Sequence, residues 1–384
     1  MYMTKHDYLF VLKVFVIWLG VLFLILFLAV HFLPSQKELL GGGLTNYIQN
    51  PYFWAWGNFD GEHYIFIAQN GYKPLTYFFF PLYPLMIKYF SGIFGQGMVS
   101  LVKSGMLISY TSTILALIGF YKLLKLDFKE KFIRNSILLL LIFPTAFFFG
   151  SIYTESLFLA LVVWSFYFAR KRKWIAAGVL GAFATSTRVI GVALVAGLAT
   201  EAFINWRMDK KKSLLLPAIS ILISLLGIVI YIYYVWTKTG DPLNFLNTVG
   251  VFGAQRSTSL VLLPQVFYRY IFKILPNLNY KVFTSFFPSV LEFVAGSVFL
   301  GLSILAFWKV RASYAVYLAL GYLIPTLAGS FSSMPRYVLV LFPAFIVMVS
   351  YLNKNKYFFF AFCALSFILL VVSFSLFARG YWIS

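Results

Sequence analysis

Cysteine occurs once in this chain, at Cys363, inside an apolar run. No intrachain disulfide can form, and neither a cysteine nucleophile nor a thiolate metal site has support. There is no P-loop, no H-E-x-x-H and no G-x-S-x-G. Nucleotide-motor and hydrolase readings therefore lose their usual anchors. Internal repeats and low-complexity linkers are also missing. Charge is scarce: 11% of the 384 residues are charged, and 11 acids face 31 lysines and arginines. The net charge of +20 would suggest nucleic acid in a soluble protein.

What is present argues otherwise. The chain is 61% hydrophobic, with a mean hydropathy of +0.87. A soluble core does not need that much apolar surface, so the expectation is an all-α polytopic membrane protein forming one domain over 1–384. A helical span takes about 20 apolar residues, so about eleven transmembrane helices fit. The first, near Val14 to Leu33, follows Lys5 and Lys13 but has no A-x-A site after it. It reads as an uncleaved anchor.

The basic residues collect at Lys122 to Arg134, Arg170 to Lys173, Arg207 to Lys212, Lys309 to Arg311, and Lys354 with Lys356. Placing every cluster in the cytoplasm fixes the topology, with the N-terminus inside. Residues 34–100 then open outside, and 101–121, 134–150, 154–169, 213–236, 286–308, 312–329, 336–352 and 356–377 cross. Residues 174–206 must enter and leave between two basic clusters, with Thr185-Ser186-Thr187-Arg188 at the bend. Two short helices with a polar turn fit, and irregular backbone at that depth must face protein or water. Residues 77–94 look apolar enough to span, but counting them would invert every later loop. Pro81, Pro84 and Lys88 interrupt them, so they read as interfacial or re-entrant. An interfacial helix is expected near Leu260 to Ile274. The outer loops 34–100 and 237–285 form the expected active-site face.

That frame gathers Asp60, Glu62, His63, Glu155, Arg188, Arg256 and Arg336 at or near the outer side. Carboxylates and arginines together suggest an anionic, lipid-borne substrate. Asp60 opens the stretch FDGEHYIFIAQNGY. It could cap an interfacial helix, sharing a face with Tyr64, Ile67 and Gly71. It could instead be a general base that takes a proton from an attacking hydroxyl. Glu62 could orient that base, or the pair could hold a divalent ion through hard oxygens. Glu155 is an acid in an apolar segment, which costs about 2.5–3.5 kcal/mol at a helix centre, unless it sits in a first helical turn. Arg188 is either functional or a structural partner for an acid such as Glu155. Arg336 could snorkel to the headgroups or clamp a phosphate with its planar fork. Arg256 is a second candidate for the same task.

These motifs resemble the GT-C membrane glycosyltransferases, and within them the PIG-V-like mannosyltransferases. FDGEHYIFIAQNGY is similar to the family's W/F-D-x-x-x-Y-x-x-I-A-x-x-G-Y box. FFPLYP, Phe79 to Pro84, follows. FPTAFFFGSIYTESLF, Phe143 to Phe158, resembles the F-P-x-A-x-F-F…Y-[ST]-E-S box. TSTRVIG (Thr185 to Gly191), GDPLNFL (Gly240 to Leu246) and MPRYVLVLFP (Met334 to Pro343) complete the order. The resemblance implies a GT-C-like fold with interfacial helices in a large first outer loop. It implies inverting transfer of a sugar, mannose by expectation, from a polyprenyl-phosphate donor to a glycan or glycolipid acceptor at the extracytoplasmic face. It assigns Asp60 as catalytic and places Arg336 on the lipid phosphate; Glu62, His63, Tyr64, Glu155, Arg188 and Arg256 are expected in substrate binding from the residue reading itself. Where the family box begins W-D, this chain has Phe59-Asp60, with Trp54 and Trp56 upstream. The chain is shorter than eukaryotic members, which points to a bacterial or archaeal plasma membrane. No metal is essential to this chemistry, although a divalent cation at Asp60 and Glu62 is compatible with it. The rival reading is a transporter or flippase for a lipid-linked sugar or another anion, but inverted repeats and paired broken helices are not evident.

Overall fold

The computed structural model describes residues 3–211, 213–248, 250 and 256–383. Lys212 of the third basic cluster, and residues 249 and 251–255 of the second expected outer loop, lie outside the described residues. Among the described residues every regular element is helical. The chain runs through α1 (Lys5–Phe32), α2 (Gly43–Gln49), α3 (Pro51–Trp54), α4 (Asp60–Asn70), α5 (Leu82–Ser91), α6 (Met98–Leu124), α7 (Glu130–Leu141), α8 (Glu155–Arg170) and α9 (Trp174–Thr185). It continues with α10 (Gly191–Met208), α11 (Leu215–Thr239), α12 (Asn244–Asn247), α13 (Leu263–Arg269), α14 (Phe283–Lys309), α15 (Ala312–Thr326), α16 (Met334–Leu339), α17 (Phe342–Leu352) and α18 (Lys356–Ala378).

Among the described residues five helices, α1, α6, α11, α14 and α18, are long and apolar enough to cross a membrane. Shorter apolar helices α9, α15 and α17 correspond to further expected crossings. The broken pair is where the sequence puts it. α9 and α10 are separated by Ser186–Ile190, and a Cβ on Gly191 would lie 2.7 Å from the Thr185 Cα, so the turn closes only on glycine. Residues 77–94 form a 3-10 turn, α5 and a second 3-10 turn rather than one long helix. Pro81 and Pro84 sit at the start of α5, as the re-entrant reading requires. The interfacial segment appears as α13 followed by a π-helical turn, Tyr270–Ile274. Two expected crossings are interrupted. α7 stops at Leu141, just before Pro144, and the buried stretch from Thr145 to Thr154 holds only a 3-10 turn, Ala146–Phe149. The 336–352 segment is split between α16 and α17, with Pro343 in the first turn of the second helix.

The contacts divide the chain into two compact units. The first comprises Met1–Tyr72, Pro81–Ala160 and Tyr351–Ile383. Its core is aromatic: fully buried Trp56 packs 5.2 Å from both Phe23 and Phe374, and Phe147, Phe148 and Tyr153 surround Phe377. Asp7 completes a capping box with Thr4 and is neutralised by Lys125 Nζ at 2.6 Å, while the Tyr121 hydroxyl donates to its Oδ1.

The second unit comprises Lys73–Phe80 and Leu161–Ser350. α9 and α11 meet through small residues. A Cβ on Gly227 would stand 1.9 Å from the Ala182 carbonyl oxygen, and Thr185 Oγ1 donates to the Ser224 carbonyl at 2.7 Å. Close backbone approach of this kind supports helix association where no hydrophobic drive between helices exists. α10 and the start of α15 are joined by a buried ion pair. Arg311 donates through Nε and Nη2 to the two oxygens of Glu201, at 2.6 and 2.8 Å. Ser313 Oγ adds a third bond at 2.8 Å and Asn205 Nδ2 a fourth at 3.2 Å.

Candidate functional site

The expected site residues fall in two groups, one in each unit. Asp60, Glu62, His63, Tyr64 and Glu155 belong to the first unit, and Arg188, Arg256 and Arg336 to the second.

The acidic group is built on α4. Asp60 is the first residue of that helix, and its cap position is Phe59, which makes no side-chain capping bond. Asp60 thus stands in the first turn of α4 rather than at its cap position. Phe59 has φ 56° and ψ −117°, a region rarely held by a residue with a side chain. Such a conformation costs about 1–3 kcal/mol and persists only when its surroundings over-determine it. They do. The Phe59 N–H donates to the Leu39 carbonyl at 2.9 Å, and its ring sits between Phe377 at 5.6 Å and Trp382 at 5.3 Å. The side chain of fully buried Asn58 accepts from the Gly41 N–H at 2.8 Å and donates to the carbonyls of Phe377 and Ala378 at 2.8 and 3.2 Å. The Tyr153 hydroxyl donates to the Asn58 carbonyl at 2.9 Å and accepts from the Asp60 N–H at 3.2 Å. Trp54 and Trp56, upstream of the box, are core residues; it is Trp382 that packs edge-on against Phe59.

Asp60, Glu62 and His63 occupy the first turn of α4, and all three are half-buried. Two carboxylates there are favoured by the helix dipole. Burial pushes the Glu62 carboxyl up to about 7, partly offset by a bond from the Gly43 backbone. A carboxyl whose folded pKa is raised binds extra protons in the native state between its ordinary range and that value. Glu62 therefore lends stability below about pH 4.5 that is lost as pH rises through about 7. The melting temperature of the wild type is expected to fall between pH 5 and pH 8 more than that of Glu62→Gln, read by thermal unfolding in detergent. Identical pH dependence in both proteins would show that Glu62 titrates in its ordinary range.

Tyr64 is buried, with its ring 5.3 Å from Tyr83 and 6.3 Å from Tyr153. Glu155 opens α8 and is 1% exposed. Of its two anticipated settings, an apolar helix centre or a first turn, the structure has the second. Burial raises the Tyr83 phenol well above its ordinary range, and Tyr64 and Glu155 add to that. The Tyr83 hydroxyl bonds Ser109 Oγ at 2.7 Å and the Gly105 carbonyl at 3.1 Å. One contiguous system of tyrosines thus links the α4 turn to Glu155. Among the described residues no three His, Cys, Asp or Glu side chains gather as a metal-binding group.

The basic group converges on α16. The ring of Tyr337 has the Arg188 guanidinium 5.3 Å from its centroid and the Arg336 guanidinium 5.4 Å from it. Arg336 is 6% exposed, so it is buried rather than snorkelling along a surface. Arg256 Nη2 donates to Ser333 Oγ at 3.0 Å, one turn before Arg336. Arg336 on α16, with Arg188 and Arg256 reaching that helix and its cap from elsewhere, makes a set of guanidinium groups suited to an anion with several oxygens.

The site reading of the sequence missed Glu292. It is a buried acid on α14 whose Oε1 accepts from the Ser333 N–H at 3.1 Å and whose Oε2 accepts from the Tyr270 hydroxyl at 2.9 Å. The available signal was its isolation within the apolar run SVLEFVAGSVF, since an ionisable residue in such a helix is costly without a specific partner.

The profile of the mannosyltransferase (PIG-V) family matches residues 6–249 of this chain. No curated protein matches it. Among solved structures, the chain is similar to the Archaeoglobus fulgidus oligosaccharyltransferase in complex with Zn and sulfate, at 15% identity and a TM-score of 0.44, covering 96% of this chain and 53% of the other. The apo form of that enzyme gives 15% identity and a TM-score of 0.42, with 95% and 56% covered. The chain therefore spans about half the length of those structures.

Proposed function

The chain belongs to the PIG-V mannosyltransferase family, a membrane glycosyltransferase family, and on that premise we propose that it moves mannose from a polyprenyl-phosphate donor to an acceptor hydroxyl, with inversion, at the extracytoplasmic face. The architecture expected for this reading is GT-C-like. Its main support is the strained Phe59–Asp60 turn. A non-glycine residue is held at positive φ so that a half-buried carboxylate stands at the head of α4.

In this reading the acceptor hydroxyl oxygen attacks the anomeric carbon from the side opposite the phosphate. Asp60 takes the hydroxyl proton as the new carbon–oxygen bond forms. The bond from the anomeric carbon to the phosphate oxygen breaks, and its electron pair leaves with the lipid monophosphate. Arg336, with Arg188 and Arg256, stabilises that developing charge. Glu62, His63, Tyr64 and Glu155 take part in substrate binding in this reading. The step balances without a metal; a divalent cation at Asp60 and Glu62 would add a hard Lewis acid near the attacking oxygen.

Reconstituted in liposomes with labelled polyprenyl-phosphate mannose and a mixture of glycan and glycolipid acceptors, the protein is expected to form a glycoside of anomeric configuration opposite to the donor's. Retention of configuration would rule out single displacement. Use of a sugar nucleotide in place of the lipid donor would rule out the donor class. Movement of the lipid across the bilayer without any glycoside formed would favour a transporter.

A further inference from the structure

Ser333 is a hub. Its N–H donates to Glu292 Oε1 at 3.1 Å, its hydroxyl accepts from Arg256 Nη2 at 3.0 Å, and its carbonyl accepts from the Arg336 N–H at 3.1 Å. Its backbone is left-handed, with φ 64°, so the hub stands in a conformation that a serine does not choose for itself. Glu292, 6% exposed on α14, holds the N–H end of that arrangement, and the Tyr270 hydroxyl fixes its other oxygen at 2.9 Å. The flanking turn is pinned independently. Arg269 Nη1 donates to the Gly329 carbonyl at 2.8 Å, and the N–H groups of Ser257 and Val261 donate to the carbonyls of Ala328 and Leu327 at 2.8 and 3.0 Å. Removing the Glu292 contact therefore loosens the hub and not the whole loop.

We infer that Glu292 is a positioning residue for the anion site. Through Ser333 it sets the Arg256 side chain and the turn that leads into Arg336, so that both serve the phosphate of a polyprenyl-phosphate lipid. This rests on the reading of those arginines as the donor-phosphate site. Two effects of removing the Glu292 charge have opposite signs. As a nearby negative charge, Glu292 opposes a phosphate, and deleting it would tighten anion binding. As the group that positions Ser333, it supports phosphate binding, and deleting it weakens that binding. Burial disfavours the charged form of Glu292, so the repulsion is the smaller of the two and the bond to Ser333 decides.

The test is equilibrium binding of polyprenyl monophosphate, and separately of uncharged polyprenol, to the full chain in detergent micelles. Glu292→Gln is expected to weaken polyprenyl monophosphate binding about tenfold and leave polyprenol binding unchanged. Tyr270→Phe, which removes only the hydroxyl that orients Glu292, is expected to produce a smaller change of the same kind, and it serves where Glu292→Gln does not fold. Tighter or unchanged phosphate-lipid binding in both variants overturns the inference, as does equal weakening for the two lipids. Wild-type protein without any preference for the phosphate lipid overturns it too. Because binding is measured without turnover, a wild type that binds the phosphate lipid yet transfers no sugar refutes the transferase reading and leaves Glu292's role standing.

Discussion

Asp60→Asn is expected to lower sugar transfer by about 10²- to 10⁴-fold, the range that general-base catalysis supplies. The substitution keeps the size and shape of the side chain. It also keeps the backbone N–H bond from Asp60 to the Tyr153 hydroxyl, the strained Phe59 before it and the Asn58 contacts behind it. What it removes is the ability to take a proton. The loss should therefore appear in the chemical step, with donor binding and melting temperature close to wild type. Transfer by Asp60→Asn at the wild-type rate, in the same liposome assay, would remove Asp60 from the chemistry. A loss accompanied by a lower melting temperature would instead make it a structural residue of the turn.

Arg311→Met is expected to destabilise the protein by about 3–5 kcal/mol, because it takes the bidentate cation from a buried carboxylate. Glu201 is completely buried, and Arg311 supplies both of its bidentate bonds. Arg170 Nε, 4.0 Å from Oε1, remains as a second cation, which sets the expected loss at the lower end of that range. A loss of this size is a large part of the 5–15 kcal/mol that typically separates folded from unfolded chains. The double variant Glu201→Gln with Arg311→Met removes the stranded charge and should recover most of the loss, since a buried pair replaced as a pair is often nearly neutral. Denaturation of the wild type, both single variants and the double variant in detergent gives the coupling energy directly. Single and double variants falling by equal amounts would mean that burial of Glu201's charge is not the cost.

Much of this was legible in the sequence because it depends on local composition. The bend at Thr185–Gly191 and the broken apolar stretch around Pro81 and Pro84 follow from residue types that dictate backbone geometry. A helix at Leu263–Arg269 falls within the expected stretch as well. The gathering of Arg188 and Arg336 about Tyr337 was anticipated only as a shared outer side; the aromatic ring between them was not. Three features were out of reach for physical reasons. Phe59 has no intrinsic preference for positive φ, and only tertiary contacts with Leu39, Phe377 and Trp382 impose it. Asp60 gives no local sign that its N–H bonds the Tyr153 hydroxyl, 93 residues further on. Glu292 looks like an isolated acid until partners 22 and 41 residues away reach it.

The bond from Asn58 to the Phe377 carbonyl has a consequence for how the protein is made. Its two ends are 319 residues apart. At ribosomal rates of about 5–20 residues per second, the turn before Asp60 is synthesised roughly 16–64 s before the helix end that locks it exists. Through that interval Phe59 lacks two of the contacts that hold its strain, those to Phe377 and Trp382, and the nascent turn is free to relax. The last long helix to emerge from the ribosome thus arms the first acidic loop, and a chain stalled before α18 carries its key carboxylate in an unset position.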